Sequence, residues 1–529
     1  MATLNTIPRP QSEILQAQEF RQHMGRISRQ STVFFAGTMF TAAAAYIFKV
    51  YLARVLGAEA LGIYALGMTM VGFCGVFNGL GLPQSAVRFV SLYSATGQMD
   101  RLRAFLWRGA GMLLFSNLLL GAVMLLAGQW VAVSFYHTPL LSQYLYFFAS
   151  IMLLGALTTF FGQVLAGYKD VTRRTVITNF IGSPLMMVLT VVLVMLGEGL
   201  RGYVVAQIVS ALVVLVLLIA VIRKLTPAAA RFSNTSLLGI DGEVLSFSAA
   251  VFGIGILEFL LTQSDKVLIG IYLNARQVGI YAVAAALVGF VPVALQSVNQ
   301  IFSPTIADLY GRGERELLSR LFQTLTKWIL GLTFPLATVM VVFARPLMRI
   351  FGQDFEAGWP ILVIGALGQL VNCGVGSVGY LLLMSGNQRR LIKVQVCMAA
   401  MMVLLNMALV PIAGTIGAAV AAAFVNIGTN VWNLREVRAS LGLSPYNRSY
   451  FQLLPAFLAV LIVTLALKMG FAGMRLQWAV ALVASVLAYL VFLGIMLSCR
   501  LTADDDLIVK AIWSKIAAAF KRQKTVVLA

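Results

Sequence analysis

Ionisable residues inside long apolar segments are the part of this sequence that could do chemistry. Glu258, Thr262 and Asp265 follow one another at i, i+4 and i+7, with Lys266 next in sequence. This spacing places the first three on a narrow stripe of one helix and Lys266 at the edge of that stripe. Charged groups in an apolar segment face water, pair with a cation or become neutral. The stripe therefore predicts either the wall of a polar cavity or a self-neutralising contact between helices.

A second lysine occupies the same place in a repeated segment. Residues 49–73 and 266–290 align without a gap at an offset of 217 residues, and they match at 11 of 25 positions, so that Lys49 corresponds to Lys266. The same register continues into the next polar loop. A shared apolar composition alone would not maintain this register through polar residues. The chain is predicted to be one half-protein used twice, which is typical of transporters with a site between the halves.

Composition excludes a soluble globular protein. Of the 529 residues, 60% are hydrophobic and 11% are charged, and the mean hydropathy is +0.90. Soluble domains usually carry about 25% charged residues. The net charge of +20 is spread over short loops, whereas a nucleic-acid-binding domain collects its basic residues on one face. The chain is therefore predicted to be a polytopic membrane protein with no nucleic-acid partner.

Fourteen apolar segments are long enough to span a membrane, so the predicted fold is all-α and polytopic. Two six-helix lobes, related by a pseudo-two-fold axis along the membrane normal, are followed by a C-terminal helix pair. The predicted divisions are a cytoplasmic N-terminal segment (1–32), an N-lobe with helices 1–6 (33–222), a cytoplasmic linker (223–248), a C-lobe with helices 7–12 (249–433), helices 13 and 14 (434–498) and a cytoplasmic basic tail (499–529).

The distribution of basic residues predicts the orientation of these helices. With the N-terminus inside, the cytoplasmic segments hold 30 of the 39 Lys and Arg residues. Such an asymmetry over short loops is what the positive-inside rule requires. The first 32 residues contain no apolar core of the kind that a cleaved signal peptide carries. Both termini are therefore expected in the cytoplasm of a multi-pass protein of the cell (inner) membrane.

The sequence offers ion-coupling and cavity-lining candidates, and no catalytic apparatus. It has no P-loop, and His23 and His137 lie outside the predicted helices, so we expect no catalytic residue, metal site or cofactor. The predicted ion-coupling residues are Glu258 and Asp265. Amides in membranes often only join helices, but together they indicate a wet interior. The predicted cavity-lining polar residues are Thr262, Gln296, Asn299, Asn372, Asn426 and Asn430.

Three stretches, LARVLGAEALGIYAL, GLGLPQSAVRFVS and SDKVLIGIYLNARQVGIYA, resemble the Wzx-type polysaccharide flippases of the multidrug/oligosaccharidyl-lipid/polysaccharide exporter superfamily. The resemblance covers residues 30–500. It implies a V of two lobes around a cavity lined by helices 1 and 7, which moves a lipid-linked oligosaccharide to the outer leaflet by alternating access. Membrane lipid, a glycan polymerase and glycosyltransferases are the further partners implied. The implied substrate-binding residues are Lys49, Lys266, Arg54 and Arg88.

Alternative functions remain open at this point. The lipid II flippase branch also has fourteen helices and a cationic cavity. A cation-coupled multidrug antiporter of the same superfamily would need the opposite charge, with Glu258 and Asp265 dominant. Lys49 lies five residues before Arg54, near a helix end, so it could extend to the membrane surface instead. A non-transporting scaffold is the least favoured alternative, because a scaffold has no need of ionisable groups at mid-membrane.

Overall fold

A computed structural model describes residues 11–226, 242–474, 476–498 and 505. All regular structure in this part of the chain is helical, which satisfies the backbone polar groups internally, as a membrane requires. The helices are α1 (Gln11–Asn78), α2 (Leu82–Ala95), α3 (Met99–Trp130), α4 (Pro139–Ser142), α5 (Leu145–Gly167), α6 (Val171–Thr175), α7 (Ser183–Met195), α8 (Gly199–Leu225), α9 (Gly242–Tyr272), α10 (Ala275–Val288), α11 (Val293–Gly311), α12 (Arg315–Val342), α13 (Ala344–Arg349), α14 (Trp359–Val375), α15 (Val378–Met384), α16 (Gln388–Leu441), α17 (Leu453–Gly470) and α18 (Gln477–Ser498).

The predicted all-α polytopic fold is confirmed. Among the described residues, 10 helices are long and apolar enough to cross a membrane, and the bent pair α10 and α11 supplies an eleventh span. Two of the long helices each contain two predicted spans. α1 is interrupted at Gly57 (φ 78°) and α16 at Gly414 (φ 59°). Glycine tolerates these positive φ values because it has no Cβ.

Two other predicted helices are divided in the structure. Predicted helix 8, 278–303, is divided into α10 and α11, which meet at 54°. Pro292 lies in this break and precedes α11, where its missing N–H costs no helical hydrogen bond. Predicted helix 2, 62–82, ends at Asn78, and Gly81 (φ 70°) lies immediately before α2. The second helix of both repeats is therefore broken.

The described residues form two compact units. Unit 1 contains residues up to Leu56 together with Gly67–Ile256, and unit 2 contains Gly57–Leu66 together with the residues from Leu257 onward. An aromatic series in unit 1 joins α2, α3 and α5, with ring centroids 6.1 Å apart for Phe89 and Phe105 and 6.0 Å apart for Phe105 and Phe160. The predicted linker lies mostly in 227–241, outside the described residues, as does most of the predicted tail.

A close crossing inside unit 2 joins the short first-repeat segment to α10. A Cβ at Gly62 would lie 1.6 Å from the carbonyl oxygen of Ala275, and a Cβ at Gly279 would lie 2.0 Å from the carbonyl oxygen of Ala58. Ala58 and Gly62 are four residues apart, as are Ala275 and Gly279. This small-xxx-small spacing lets two backbones touch in a membrane. We call these four residues the glycine crossing.

A buried ion pair fixes α12 to a residue near the end of the chain. Lys327 Nζ lies 2.5 Å from Asp505 Oδ2, and the two side chains are 1% and 0% exposed. Trp328 Nε1 donates a second hydrogen bond to Asp505 Oδ1 at 2.9 Å. A buried charge is tolerated when it is paired and hydrogen-bonded in this way. Asp505, which lies in the predicted tail, is thus part of the core of unit 2.

Candidate functional site

The turn between α9 and α10 brings the carboxylate of Asp265 against a tyrosine. α9 ends at Tyr272, and Asn274 caps α10, because its side chain accepts a 3.0 Å hydrogen bond from the backbone N–H of Gln277. Asparagine is a favoured residue at this position of a helix. The chain therefore reverses within a few residues, and Tyr281 on α10 lies beside the last turns of α9.

Asp265 is a buried carboxylate with two hydrogen-bond donors. The Tyr281 hydroxyl donates to Oδ2 at 2.7 Å, and the backbone N–H of Lys266 donates to Oδ1 at 2.7 Å. The residue is only 7% exposed. Hydrogen bonds of this kind favour the charged form of a carboxyl group, whereas burial disfavours it. A carboxylate under these opposing influences is suited to exchange a proton or to bind a cation.

Lys266 is bound to an amide. Its Nζ donates to Gln263 Oε1 at 2.8 Å, one turn earlier on α9. Within the described part of the chain the ammonium group takes part in no ion pair shorter than 4.0 Å. An amide oxygen orients the ammonium group without cancelling its charge. Lys266 and Asp265 therefore form no direct ion pair.

The remaining residues of the predicted stripe differ from Asp265 in burial. Glu258 and Thr262 are both exposed on the surface of the protein. The Thr262 hydroxyl donates to the carbonyl oxygen of Glu258 at 2.8 Å, which is a bond within its own helix. The structure therefore divides the stripe into an exposed part and a buried end at Asp265.

The predicted cavity-lining amides form short local pairs in unit 2. Asn299 accepts a 2.5 Å hydrogen bond from Ser377, Asn372 donates to Gln369 at 2.8 Å, and Asn430 donates to Asn426 at 2.9 Å. Only the first of these pairs joins two helical segments distant in sequence. Gln296 is exposed. The Asn299–Ser377 contact has the helix-joining role that amides often have in membranes, whereas the other two pairs each lie within one helix.

Three of the predicted cationic residues belong to unit 1. Lys49 is half-buried on α1, whereas Arg54 and Arg88 are exposed. The guanidinium carbon of Arg88 lies 5.3 Å from the centre of the Phe89 ring, within the range of a cation–π contact. Lys266 belongs to unit 2.

Tyr281 is a site residue that the sequence analysis did not single out. Its signal is the matched run of residues 62–65 and 279–282, which contains Tyr64 and Tyr281 at equivalent positions. A tyrosine hydroxyl within an apolar helix needs a hydrogen-bond partner, and the nearest carboxyl group in the preceding helix was Asp265. In the described residues no group of three or more His, Cys, Asp and Glu side chains could hold a metal ion.

Comparison with known sequences gives a family and one relative. Residues 51–358 match the model of a family described as "Polysaccharide biosynthesis protein". The succinoglycan biosynthesis transport protein ExoT of Rhizobium meliloti (strain 1021) is 30% identical over 200 residues, which are 37% of this chain and 38% of that protein. The match therefore spans well under half the length of this relative.

Comparison with solved structures identifies the fold. The lipid II flippase MurJ in an inward closed conformation superposes with a TM-score of 0.70 at 15% identity, over 88% of this chain and 98% of that one. An inward-facing multidrug resistance MATE family transporter of the MOP superfamily gives 0.58 at 15% identity, over 75% and 94% of the two chains. These identities show a shared fold alone. The resemblance predicted from the sequence motifs is confirmed.

Proposed function

Because the chain belongs to the family of polysaccharide biosynthesis proteins, we propose that it is a membrane flippase for a lipid-linked oligosaccharide. It moves this precursor from the cytoplasmic to the outer leaflet by alternating access. The observation that carries the proposal is the family match, which runs from the first repeat into the second, residues 51–358. The transport protein ExoT, similar over part of its length, is named for a role in succinoglycan biosynthesis.

The chemistry of the substrate explains the residues that we assign to it. A polyprenyl diphosphate-linked sugar has a charged head, which the membrane core rejects, and a lipid tail, which the core accepts. A carrier therefore needs cationic groups that keep their charge. The Lys266 ammonium, bound to Gln263 rather than to a carboxylate, supports this role. Lys49 is its repeat equivalent, and we assign supporting roles to Arg54 and Arg88.

Asp265 and Glu258 are the proposed ion-coupling residues. Asp265 is buried with the Tyr281 hydroxyl at 2.7 Å, and Glu258 is exposed one stripe position before Thr262. We propose that one of these carboxyl groups binds or releases a proton or cation during the transport cycle. Replacement of both by Asn and Gln is expected to abolish the effect of a protonophore on transport. Full, protonophore-sensitive transport by the double variant would exclude them from coupling.

The proposed orientation places both termini and the linker 223–248 in the cytoplasm of a cell-membrane protein. It rests on the basic residues of the loops. Reporter fusions after Gly199, Asp354 and Phe471 should report the outer side. Cytoplasmic activity at these three sites would contradict the orientation. A glycan polymerase and the glycosyltransferases that supply the substrate are the proposed partners.

Substitution of the two lysines tests the function. In vesicles that contain the purified protein, Lys49→Ala and Lys266→Ala are each expected to slow the translocation of a fluorescent lipid-linked oligosaccharide by about one to two orders of magnitude, since each charged hydrogen bond is worth about 1.5–3 kcal/mol. Arginine should partly restore the rate, because it keeps the charge.

The substrate arms of this assay separate the alternatives. A lipid-linked oligosaccharide, lipid II and an organic cation are offered to the same vesicles. Translocation of lipid II alone would replace the proposed substrate with the peptidoglycan precursor, and uptake of the cation alone would indicate an antiporter.

Arg312→Gln is the matched control for the lysine variants. Arg312 forms an exposed ion pair with Asp308, and its loss removes one positive charge away from α9.

A further inference from the structure

A half-buried arginine in unit 1 has a neutral partner where its repeat equivalent has a carboxylate. Arg174 on α6 donates from Nη1 to Gln163 Oε1 on α5 at 3.1 Å. Within the described residues its side chain makes no ion pair and no other hydrogen bond. A guanidinium group has five N–H donors and is always charged. Most of the hydrogen-bonding capacity of this half-buried cation is therefore unused within the described residues.

The local structure keeps the nearest carboxylate away from Arg174. Asp170 caps α6 by accepting a 3.1 Å hydrogen bond from the Arg173 backbone N–H, and its other oxygen lies 3.4 Å from the Arg173 side chain. Arg174, one residue later, points to α5, where its Nε would lie 3.5 Å from a Cβ at Gly162. The guanidinium therefore lies beside a glycine of α5 rather than beside Asp170.

The segment after Arg174 departs from regular α-helix. Residues Val176–Gly182 form a π-helical segment, and the Thr178 hydroxyl donates to the Arg174 carbonyl oxygen at 2.9 Å. π-Helical turns are rare and occur frequently at functional sites. The unusual backbone thus begins immediately beyond the arginine.

The equivalent arginine of the second repeat shows what a purely structural partner looks like. Arg173 and Arg174 follow the fourth predicted helix of their lobe as Arg389 and Arg390 follow theirs. Arg390 Nη1 lies 2.7 Å from Glu436 Oε2, on the far arm of α16. The corresponding end of α8 carries Arg223 and Lys224, and no carboxylate occurs anywhere in α8. The first repeat therefore keeps the arginine, and α8 offers it no anion.

We propose that Arg174 and Gln163 bind the phosphate groups of the lipid-linked substrate where α5 ends and α6 begins. The assignment rests on the proposed function and adds a site to it. A guanidinium binds two phosphate oxygens in parallel, and the Gln163 amide nitrogen offers a further donor. Gln163 lies four residues before the end of α5 and Arg174 three residues after the start of α6. At about 1.5 Å per residue, these positions are about 6 Å and about 4.5 Å from the helix ends, and the end of a membrane span is where lipid headgroups are expected.

The position suits the first contact with the substrate rather than the middle of its path. The loop charges predict that this end of unit 1 faces the cytoplasm, where the precursor is made. The diphosphate would replace in unit 1 the negative charge that Glu436 supplies in unit 2. Ordinary anionic phospholipids present the same phosphate chemistry at the same depth, so the experiment must distinguish the two sources.

Binding to the purified full chain in detergent micelles tests the site. The probes are a polyprenyl diphosphate and phosphatidylglycerol, measured separately by native mass spectrometry. Arg174→Gln is expected to weaken polyprenyl diphosphate binding about tenfold or more, because it removes a charge-assisted pair of hydrogen bonds. The affinity of Arg174→Lys should lie between those of the wild type and Arg174→Gln, because lysine keeps the positive charge but cannot bind two oxygens in parallel. Arg390→Gln is the matched control and should change binding less than about twofold, because its charge is already neutralised.

Each other outcome overturns the site. Unchanged diphosphate binding by Arg174→Gln would show that the arginine is structural, and an equal loss with phosphatidylglycerol would show a general lipid contact. If Arg174→Gln is not recovered as a monodisperse protein, Arg174→Lys decides: binding equal to wild type rejects the site. Translocation in vesicles judges the proposed function separately. If the wild-type chain binds the diphosphate through Arg174 but does not translocate it, the site stands and the proposed function is wrong. If Arg174→Gln translocates as well as the wild type, the proposed function stands and the site is wrong.

Discussion

The two repeats follow the same sequence register and differ in the charges that they bury. Asp265 of the second repeat corresponds to Phe48 of the first at the offset of 217 residues, and Lys327 corresponds to Ala110. In unit 2 Asp265 is bound by Tyr281, and Lys327 is paired with Asp505. Phe48 instead packs near the Tyr203 ring of unit 1, with centroids 6.2 Å apart. The same register thus accommodates a charge in one copy and an apolar side chain in the other.

This difference shows which features a duplicated chain keeps and which one copy acquires alone. The small residues of the glycine crossing occur in both repeats, because they determine how closely backbones approach. A buried charge also needs a partner of opposite charge. Here that partner lies outside the repeats and pairs with a residue of one copy only. Asp505 lies beyond the repeats, so only the second copy of the Lys327 position has an anion available. The two repeats therefore share these small residues and differ in these buried charges.

The largest effect is expected from breaking the buried ion pair between Lys327 and Asp505. Lys327→Met leaves Asp505 buried without its cation, so the free energy of unfolding should fall by about 3–5 kcal/mol. Thermal unfolding in detergent, followed by loss of the monodisperse peak, measures the change. Lys327→Met combined with Asp505→Asn should regain much of the stability. An equally unstable double variant would mean that packing, not the unpaired charge, causes the loss.

The tyrosines at equivalent positions 64 and 281 give a sharper comparison. Tyr281→Phe removes a hydrogen bond to a buried carboxylate, which is worth about 1.5–3 kcal/mol. The rate of transport or the equilibrium constant for folding should therefore fall by about one order of magnitude or more. Tyr64→Phe is the matched control, because the first repeat has Phe48 at the Asp265 position; it should lose about 1 kcal/mol or less. Both variants are compared in the vesicle assay and by thermal unfolding. Equal losses would show that the carboxylate does not distinguish the repeats.

The smallest difference between the repeats is expected at the glycine crossing, where both should behave alike. Gly62→Ala and Gly279→Ala each place a methyl group against a backbone carbonyl, and such overpacking costs about 1–3 kcal/mol. Each variant should melt at a lower temperature, by similar amounts. Gly470→Ala is the control, because a Cβ there meets no atom within 4 Å. A loss at only one of the two glycines would show that the crossing is not equivalent in the two repeats.

The sequence predicts the helices better than their interruptions. Apolar length determines where a membrane helix runs, so the helical content and most spans agree with prediction. The breaks at Gly57, Gly81 and Gly414 depend on single φ angles, and a glycine is compatible with either a break or a close contact. The bend between α10 and α11 lies at Pro292, which cannot donate a backbone hydrogen bond to continue a helix.

The candidate site was predicted in part. Helical spacing placed Glu258, Thr262 and Asp265 on one stripe, but it could not show that only Asp265 is buried. Burial depends on which neighbouring helix covers a face, and here Tyr281 of α10 covers the end of the stripe. Periodicity also could not reveal Asp505, because a carboxylate in a polar terminal segment has no apolar pattern around it. Such partners become visible only when distant parts of the chain are brought together.

The glycine crossing has a consequence for the origin of the chain. Gly62 packs on Ala275, and its equivalent Gly279 packs on Ala58. The two equivalent segments therefore make the same contact with each other. Reciprocity of this kind is the mark of an isologous interface, in which one surface patch binds a second copy of itself. A half-length chain with the Ala58–Gly62 motif would thus have carried a self-complementary surface suited to a homodimer. Fusion of two such copies fixes the stoichiometry and leaves each free to change alone.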